Sequence, residues 1–306
     1  MEALLKQLLV LYIFIIAGFI LGKWRKDMAD KSSLLSFLTV NLLLPCKMLL
    51  NFSKNFTVTY LKTNYITIFI SVSILCLLLL IGGLVGKLLS RKDAYGQKVY
   101  KYSVTVSNYA YFGYVLMENA FGEAALNNMM VFCLPFSLYC YTFGVALLMD
   151  KKVSLKSLLT PTPIAIFLGI ILGLTGIKLP AVITTVASSA GTAMGPVTML
   201  LVGLVLSGFT MRQILPNWQS WVFSVIKLVI APAVVFGICK VLGLFVNLPA
   251  SVYPTAVFVA AMPCGLNPVI YPRLLGKDCS MGAKLIPLTA LLSVATIPLW
   301  LYLTGL

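Results

Sequence analysis

Two stretches of this chain carry residue types that an apolar helix avoids. One reads Ser107-Asn108-Tyr109-Ala110-Tyr111-Phe112-Gly113, the other Pro263-Cys264-Gly265-Leu266-Asn267-Pro268, and each lies inside a hydrophobic run. Pro263 and Pro268 have no N–H and remove helix hydrogen bonds. Gly113 and Gly265 give the backbone room to unwind. Unwinding frees N–H groups and exposes the positive end of a half-helix, and both attract a carboxylate. Asn108 and Asn267 add side-chain donors and acceptors. Such a set holds a small anion; it does not break bonds. The candidate substrate-binding residues are therefore Asn108, Gly113, Pro263, Gly265, Asn267 and Pro268.

One formal charge stands far from any predicted span end. Lys227 lies nine residues past Trp218, about 13 Å along a helix. Charges at that depth are costly and usually functional. Lys227 could support the broken segments in place of a bound cation, or draw the anion; the alternative is a lysine that snorkels to the headgroups. No Asp or Glu falls clearly at mid-span, and Glu118 is assigned to the outer end of its span. The chain has no His, which removes the usual zinc ligand and general base. Its seven Cys form no CxxC pair and read as small hydrophobes. No catalytic residue, metal site or cofactor is expected, and the chain is not read as an enzyme.

These residues need a bilayer to position them. The 306 residues are 60% hydrophobic and only 10% charged, with mean hydropathy +1.00, more apolar surface than one soluble core can hide. Apolar runs long enough for ~30 Å of hydrocarbon fall at residues 4–22, 34–52, 65–89, 100–121, 128–149, 163–176, 193–209, 218–244, 252–274 and 283–303, the sixth and seventh being short. The first is followed by Lys23-Trp24-Arg25-Lys26, not by a small-residue cleavage site, and reads as a retained span.

The net charge of +15 follows loop topology and does not call for nucleic acid. Of 23 Lys and Arg, 16 lie in loops after odd-numbered spans, Lys26 and Lys31 among them, and six near the opposite face, Lys47 included. The bias puts the odd loops in the cytoplasm and both termini outside. The halves also resemble each other in hydropathy at a shift of 154 residues: span three falls on span eight, span five on span ten, Gly113 on Asn267. Five spans per half force the second half to insert upside down. The expected fold is an all-α integral membrane protein of ten helices in two inverted five-helix repeats, residues 1–153 and 154–306, with broken spans four and nine.

The segment Met262-Pro263-Cys264-Gly265-Leu266-Asn267, followed by Gly276-Lys277-Asp278, resembles the penultimate span of the auxin efflux carrier (PIN-like) family. Asn108 with Gly113 resembles the Asn–Gly motif of that family's fourth span, and Pro45 and Gly195-Pro196 through Gly203 also match family positions. The resemblance covers essentially the whole chain. It implies separate scaffold and transport parts, a substrate site where spans four and nine cross, and export or exchange of organic anions such as auxin or dicarboxylates. Asn108 and Asn267 would be substrate ligands. Three departures stand out. Val115 replaces a proline, Pro268 is extra, and the connector around residues 150–163 is short, which counts against auxin itself.

The expected function is therefore a secondary transporter of a small organic anion in the plasma membrane, working by alternating access. Its partners are that anion and membrane lipid, with a homodimer left open. A sodium-coupled carrier of the bile-acid-transporter type shares the architecture and is the nearest alternative. A non-transport membrane receptor is another.

Overall fold

The computed structural model describes residues 2–25 and 32–305; Lys26 and Lys31 of the first predicted loop lie outside them. Among the described residues all long elements are helices. They are α1 (Glu2–Trp24), α2 (Ser32–Asn55), α3 (Val58–Leu89), α4 (Ala94–Thr105), α5 (Tyr109–Phe132), α6 (Leu134–Met149), α7 (Pro161–Thr175), α8 (Ala181–Ser207), α9 (Trp218–Phe245), α10 (Val252–Ala261), α11 (Asn267–Leu274) and α12 (Ser280–Thr304). Six of these, α1, α2, α3, α8, α9 and α12, are long and apolar enough to cross a hydrocarbon layer. The pair α5–α6, bent by 50°, makes a seventh if taken as one span, and α7 and α10 are shorter apolar helices.

Hydropathy located the last three predicted spans closely. Residues 252–274 coincide with α10 and α11 together, and 218–244 with α9. The predicted seventh span, 193–209, is a correction: α8 starts at Ala181 and is not short. Its first half carries Thr184, Thr185 and Thr192, which lower the hydropathy. Each returns its hydroxyl to the carbonyl four residues back, so the helix holds its own polar groups. The fourth predicted span began too late. Its helix starts at Ala94, where the Asp93 carboxylate caps the Tyr95 N–H.

Two pairs of helices pack closely side by side: α1 against α8, and α7 against α2. Lipid gives helices no hydrophobic reason to associate, so small residues that let backbones approach decide such contacts. Gly18 and Gly203 mark the α1–α8 crossing. A Cβ on Gly203 would stand 2.1 Å from the Ile15 carbonyl oxygen, and one on Gly18 would stand 2.3 Å from that of Leu200. Helix α2 also packs on α8, so these four helices form one panel. The remaining helices form a second group around α4, α5, α10 and α12. Within α5 the backbone turns at Gly122, whose φ of 85° is a conformation that only glycine adopts freely.

Pi-turns at Thr39–Leu43 and Ile226–Ile230 precede Pro45 and Pro232. A proline there leaves a carbonyl one turn back without its donor. Neighbouring helices supply it. Thr162 donates to the Val40 carbonyl at 2.9 Å, and the Trp300 indole N–H donates to that of Leu228 at 2.8 Å.

At its far end α6 stops at Asp150, which takes Lys98 and, at 3.0 Å, Lys277. Hydrogen bonds from those ammoniums hold its carboxyl below the usual carboxylate range.

Gly203→Leu should therefore separate α1 from α8, because backbone on backbone cannot yield to the new side chain. The loss should exceed the ~1–3 kcal/mol typical of overpacking. Gly83→Ala, whose Cβ meets nothing within 4 Å, should leave stability unchanged or raise it by up to about 1 kcal/mol. Thermal unfolding in detergent checks both; equal midpoints for the two variants would contradict the packing assignment.

Candidate functional site

Helix α4 ends at Thr105 and α10 ends at Ala261. After each, the helix is interrupted for a few residues, 106–108 in one case and 262–266 in the other, with extended backbone at Val106 and Met262, before α5 and α11 begin. The two interrupted pieces cross. Ser107 and Cys264 pair as an isolated antiparallel bridge, and the Asn108 N–H donates to the Pro263 carbonyl at 2.8 Å.

That bond has a consequence four residues back. In an unbroken helix the Asn108 N–H would serve the Val104 carbonyl; diverted to Pro263, it leaves Val104 O without a donor. The side chain of Lys227 fills the gap. Its ammonium donates to Val104 O at 2.9 Å and to Ser107 Oγ at 2.6 Å, and the residue is fully buried. A cation at the carboxyl end of α4 also meets the negative end of that helix. The π-turn of α9 holds Lys227 itself. On the other strand of the crossing, the Cys264 N–H donates to Thr289 Oγ1 of α12 at 3.1 Å.

The opposite polarity faces a cleft of about 550 Å³ beside the crossing. Both α5 and α11 start there, so two amino-terminal ends with spare N–H groups point at the same space. The first N–H groups of α5 to bond back are those of Phe112 and Gly113, both to Asn108 O, which leaves those of Tyr109, Ala110 and Tyr111 beyond the helix ladder. Asn108 lines the cleft, 9% exposed. Asn267 lines it from α11, its amide donating to the Tyr102 hydroxyl at 2.5 Å. Tyr102 also meets the Cys140 thiol at 3.2 Å. Val40 and Leu44 of α2 close the panel side. Two positive helix ends, two amides and several phenol hydroxyls, with no carboxylate on the walls, can hold an anion.

A family described as membrane transport protein, the auxin efflux carrier or PIN-like group, matches residues 3–151 and 144–301. The chain belongs to this family. Its members are transporters, and the chain is a multi-pass membrane protein. No curated protein matches it.

Of the residues chosen from the sequence, this carrier brings Asn108, Gly265 and Asn267 to the cleft. Pro263 stands at the crossing, where it contributes its carbonyl. Pro268 sits in the first turn of α11, where a missing N–H costs nothing. Gly113 is a correction. The chain unwinds five residues before it, and Gly113 has helical angles, φ −64° and ψ −45°. It serves close packing: a Cβ there would meet Met129 Cε at 2.6 Å. Lys227 does not snorkel. Missed altogether were Tyr102, Tyr111, Cys140, Tyr141 and Tyr271, all on the cleft walls. The sequence signal was faint, a tyrosine in four places on four different helical segments. Missed too was Lys47, buried in α2 and paired with Glu118; counting charges by loop had put it near a span end.

Lys227→Met keeps the length and removes both donors. Val104 O and Ser107 Oγ then stand unpaired in a dry site, at about 1–3 kcal/mol each. Part of this is offset by no longer burying a charge. Hydrogen exchange over residues 101–112 should rise about tenfold, while α1 and α8 stay protected. Unchanged exchange at the crossing would mean that the lysine does not hold it.

Proposed function

We propose that this carrier is a secondary transporter of a small organic anion, a dicarboxylate or an auxin-like carboxylate, bound where the two broken segments cross. The observation that carries the reading is the meeting of α5 and α11, amino end to amino end, in one cleft with Asn108 and Asn267 on its walls. Helix ends fixed by a protein scaffold stabilise an anion without reorganising, and transporters use discontinuous helices in this way.

Ten spans follow if α4 joins α5 as far as Gly122, the remainder of α5 joins α6, and α10 joins α11. Helix ends recur at similar separations: 151 residues (Trp24, Thr175), 152 (Asn55, Ser207), 156 (Leu89, Phe245) and 155 (Met149, Thr304). The packing partners exchange in the same sense, α1 with α8 and α7 with α2. Both features support two inverted repeats, residues 1–153 and 154–306. On this reading the panel of α1, α2, α7 and α8 is the scaffold. The helices around the crossing are the moving part, and alternating access is their displacement against the panel. The charge bias adds a plasma-membrane carrier with both termini outside the cytoplasm.

Lys227 takes the place that a bound cation would have against the carbonyl end of α4. Transport should therefore not require sodium, which separates this reading from a sodium-coupled carrier. In proteoliposomes, malonate or succinate should exchange across the membrane. Asn108→Ala and Asn267→Ala should each weaken the apparent affinity about tenfold, since a hydrogen bond to a charged group is worth ~1.5–3 kcal/mol. Lys227→Met should abolish flux. Normal affinity in both folded Asn variants would move the site elsewhere, a sodium requirement would overturn the cation-replacement role, and binding without flux would favour a receptor.

A further inference from the structure

A second charged place lies along the same two helices that wall the cleft. Leu44 of α2 faces the cleft, and Lys47 stands three residues further on; Tyr111 of α5 faces it, and Glu118 stands seven further on. At 1.5 Å per residue these steps are about 5 and 10 Å in one direction, outward under the proposed topology. There Lys47 and Glu118 form an ion pair that ties the panel to the moving group. The partners are unequal: the Lys47 side chain is 8% exposed and that of Glu118 37%. A cleft of about 380 Å³ opens beside them, bordered also by Asn51, Glu123, Ser188 and Thr192.

A buried ammonium whose one partner is a more exposed carboxylate, on the wall of a cleft, is the arrangement of an occupied anion site whose occupant is tethered. Glu118 fills the place that a free carboxylate would take. We infer that Lys47 forms an outer subsite for a carboxylate substrate, and that Glu118 is its built-in competitor. Lys47 gains a mobile anion only when Glu118 swings toward solvent. That exchange also unties α2 from α5, so arrival of substrate on the outer side and release of the moving group become one event. Glu123 stays as a negative rim that disfavours anions while Glu118 is present. The inference rests on the proposed transport of carboxylates.

A plain structural latch and a competed anion site respond differently to loss of either partner. If the pair is only a latch, Lys47→Met and Glu118→Gln remove the same bond and shift substrate binding the same way. If Lys47 is a ligand and Glu118 its rival, the two shifts are opposite. Binding of malonate, succinate and malate to the purified full chain is measured by titration calorimetry, with folding checked by thermal unfolding. Glu118→Gln should tighten binding of at least one of them about tenfold, and Lys47→Met should weaken it about tenfold. Shifts of the same sign in the Lys47 and Glu118 variants overturn the subsite while leaving the crossing site standing. Wild-type protein that binds none of the three, and moves none in vesicles, overturns the proposed function and the subsite with it.

Discussion

A backbone carbonyl that loses its helix partner inside hydrocarbon costs several kcal/mol, because no water is there to replace the bond. Crossing two interrupted helices inside a membrane protein creates such carbonyls, and the ammonium of Lys227 on Val104 O and Ser107 Oγ answers for one of them. Everything else at the site depends on that contact. With Val104 O satisfied from α9, the Asn108 N–H is free to bond across to Pro263. The bridge between Ser107 and Cys264 can then form, and α5 and α11 can begin where they do, with their positive ends toward one cleft. The charge therefore stabilises the carbonyl side of the crossing and leaves the N–H side for a ligand.

The same accounting recurs away from the crossing. Thr162 serves Val40 O and Trp300 serves Leu228 O, each where a proline has withdrawn a donor. In every case the donor comes from another helix, so the irregular backbone is held by tertiary contacts and not by local propensity. Irregularity of this kind can survive only beside packed protein or a cavity. Two groups of helices result: a panel closed by glycine-to-backbone contacts, and a group whose backbone is interrupted where it faces that panel. The first is stiff because its spacing is set by atoms that cannot move, and the second carries the polar surface.

Much of this was legible in the sequence, and the failures have physical causes. Proline and glycine announced the break between α10 and α11, because Pro263 has no N–H to give a helix and Gly265 gives the backbone room to unwind. The break at 106–108 reads Val-Ser-Asn and contains neither. It is imposed by the partner segment and by Lys227, so hydropathy and breaker residues placed it five residues late, at Gly113. Glycine has two uses, unwinding and close approach, and the residue type does not distinguish them; at Gly113 the second applies. Lys47 was misread because a lone lysine five residues from a predicted boundary looks peripheral until its partner on another helix is known. The tyrosines of the cleft were invisible for the same reason, since they come from separate segments and meet only in the fold.

The central claim is that an anion sits between the amino-terminal ends of α5 and α11. It is tested most directly by locating one. Bromosuccinate is a dicarboxylate whose bromine scatters anomalously, so its position in crystals of the carrier can be found independently of the protein density. The account predicts a bromine peak in the cleft bounded by Asn108, Gly265 and Asn267, with a carboxylate against the first turn of α5 or α11. A peak confined to the lipid-facing surface or to the loops, in crystals of protein that exchanges the same compound in vesicles, would contradict it.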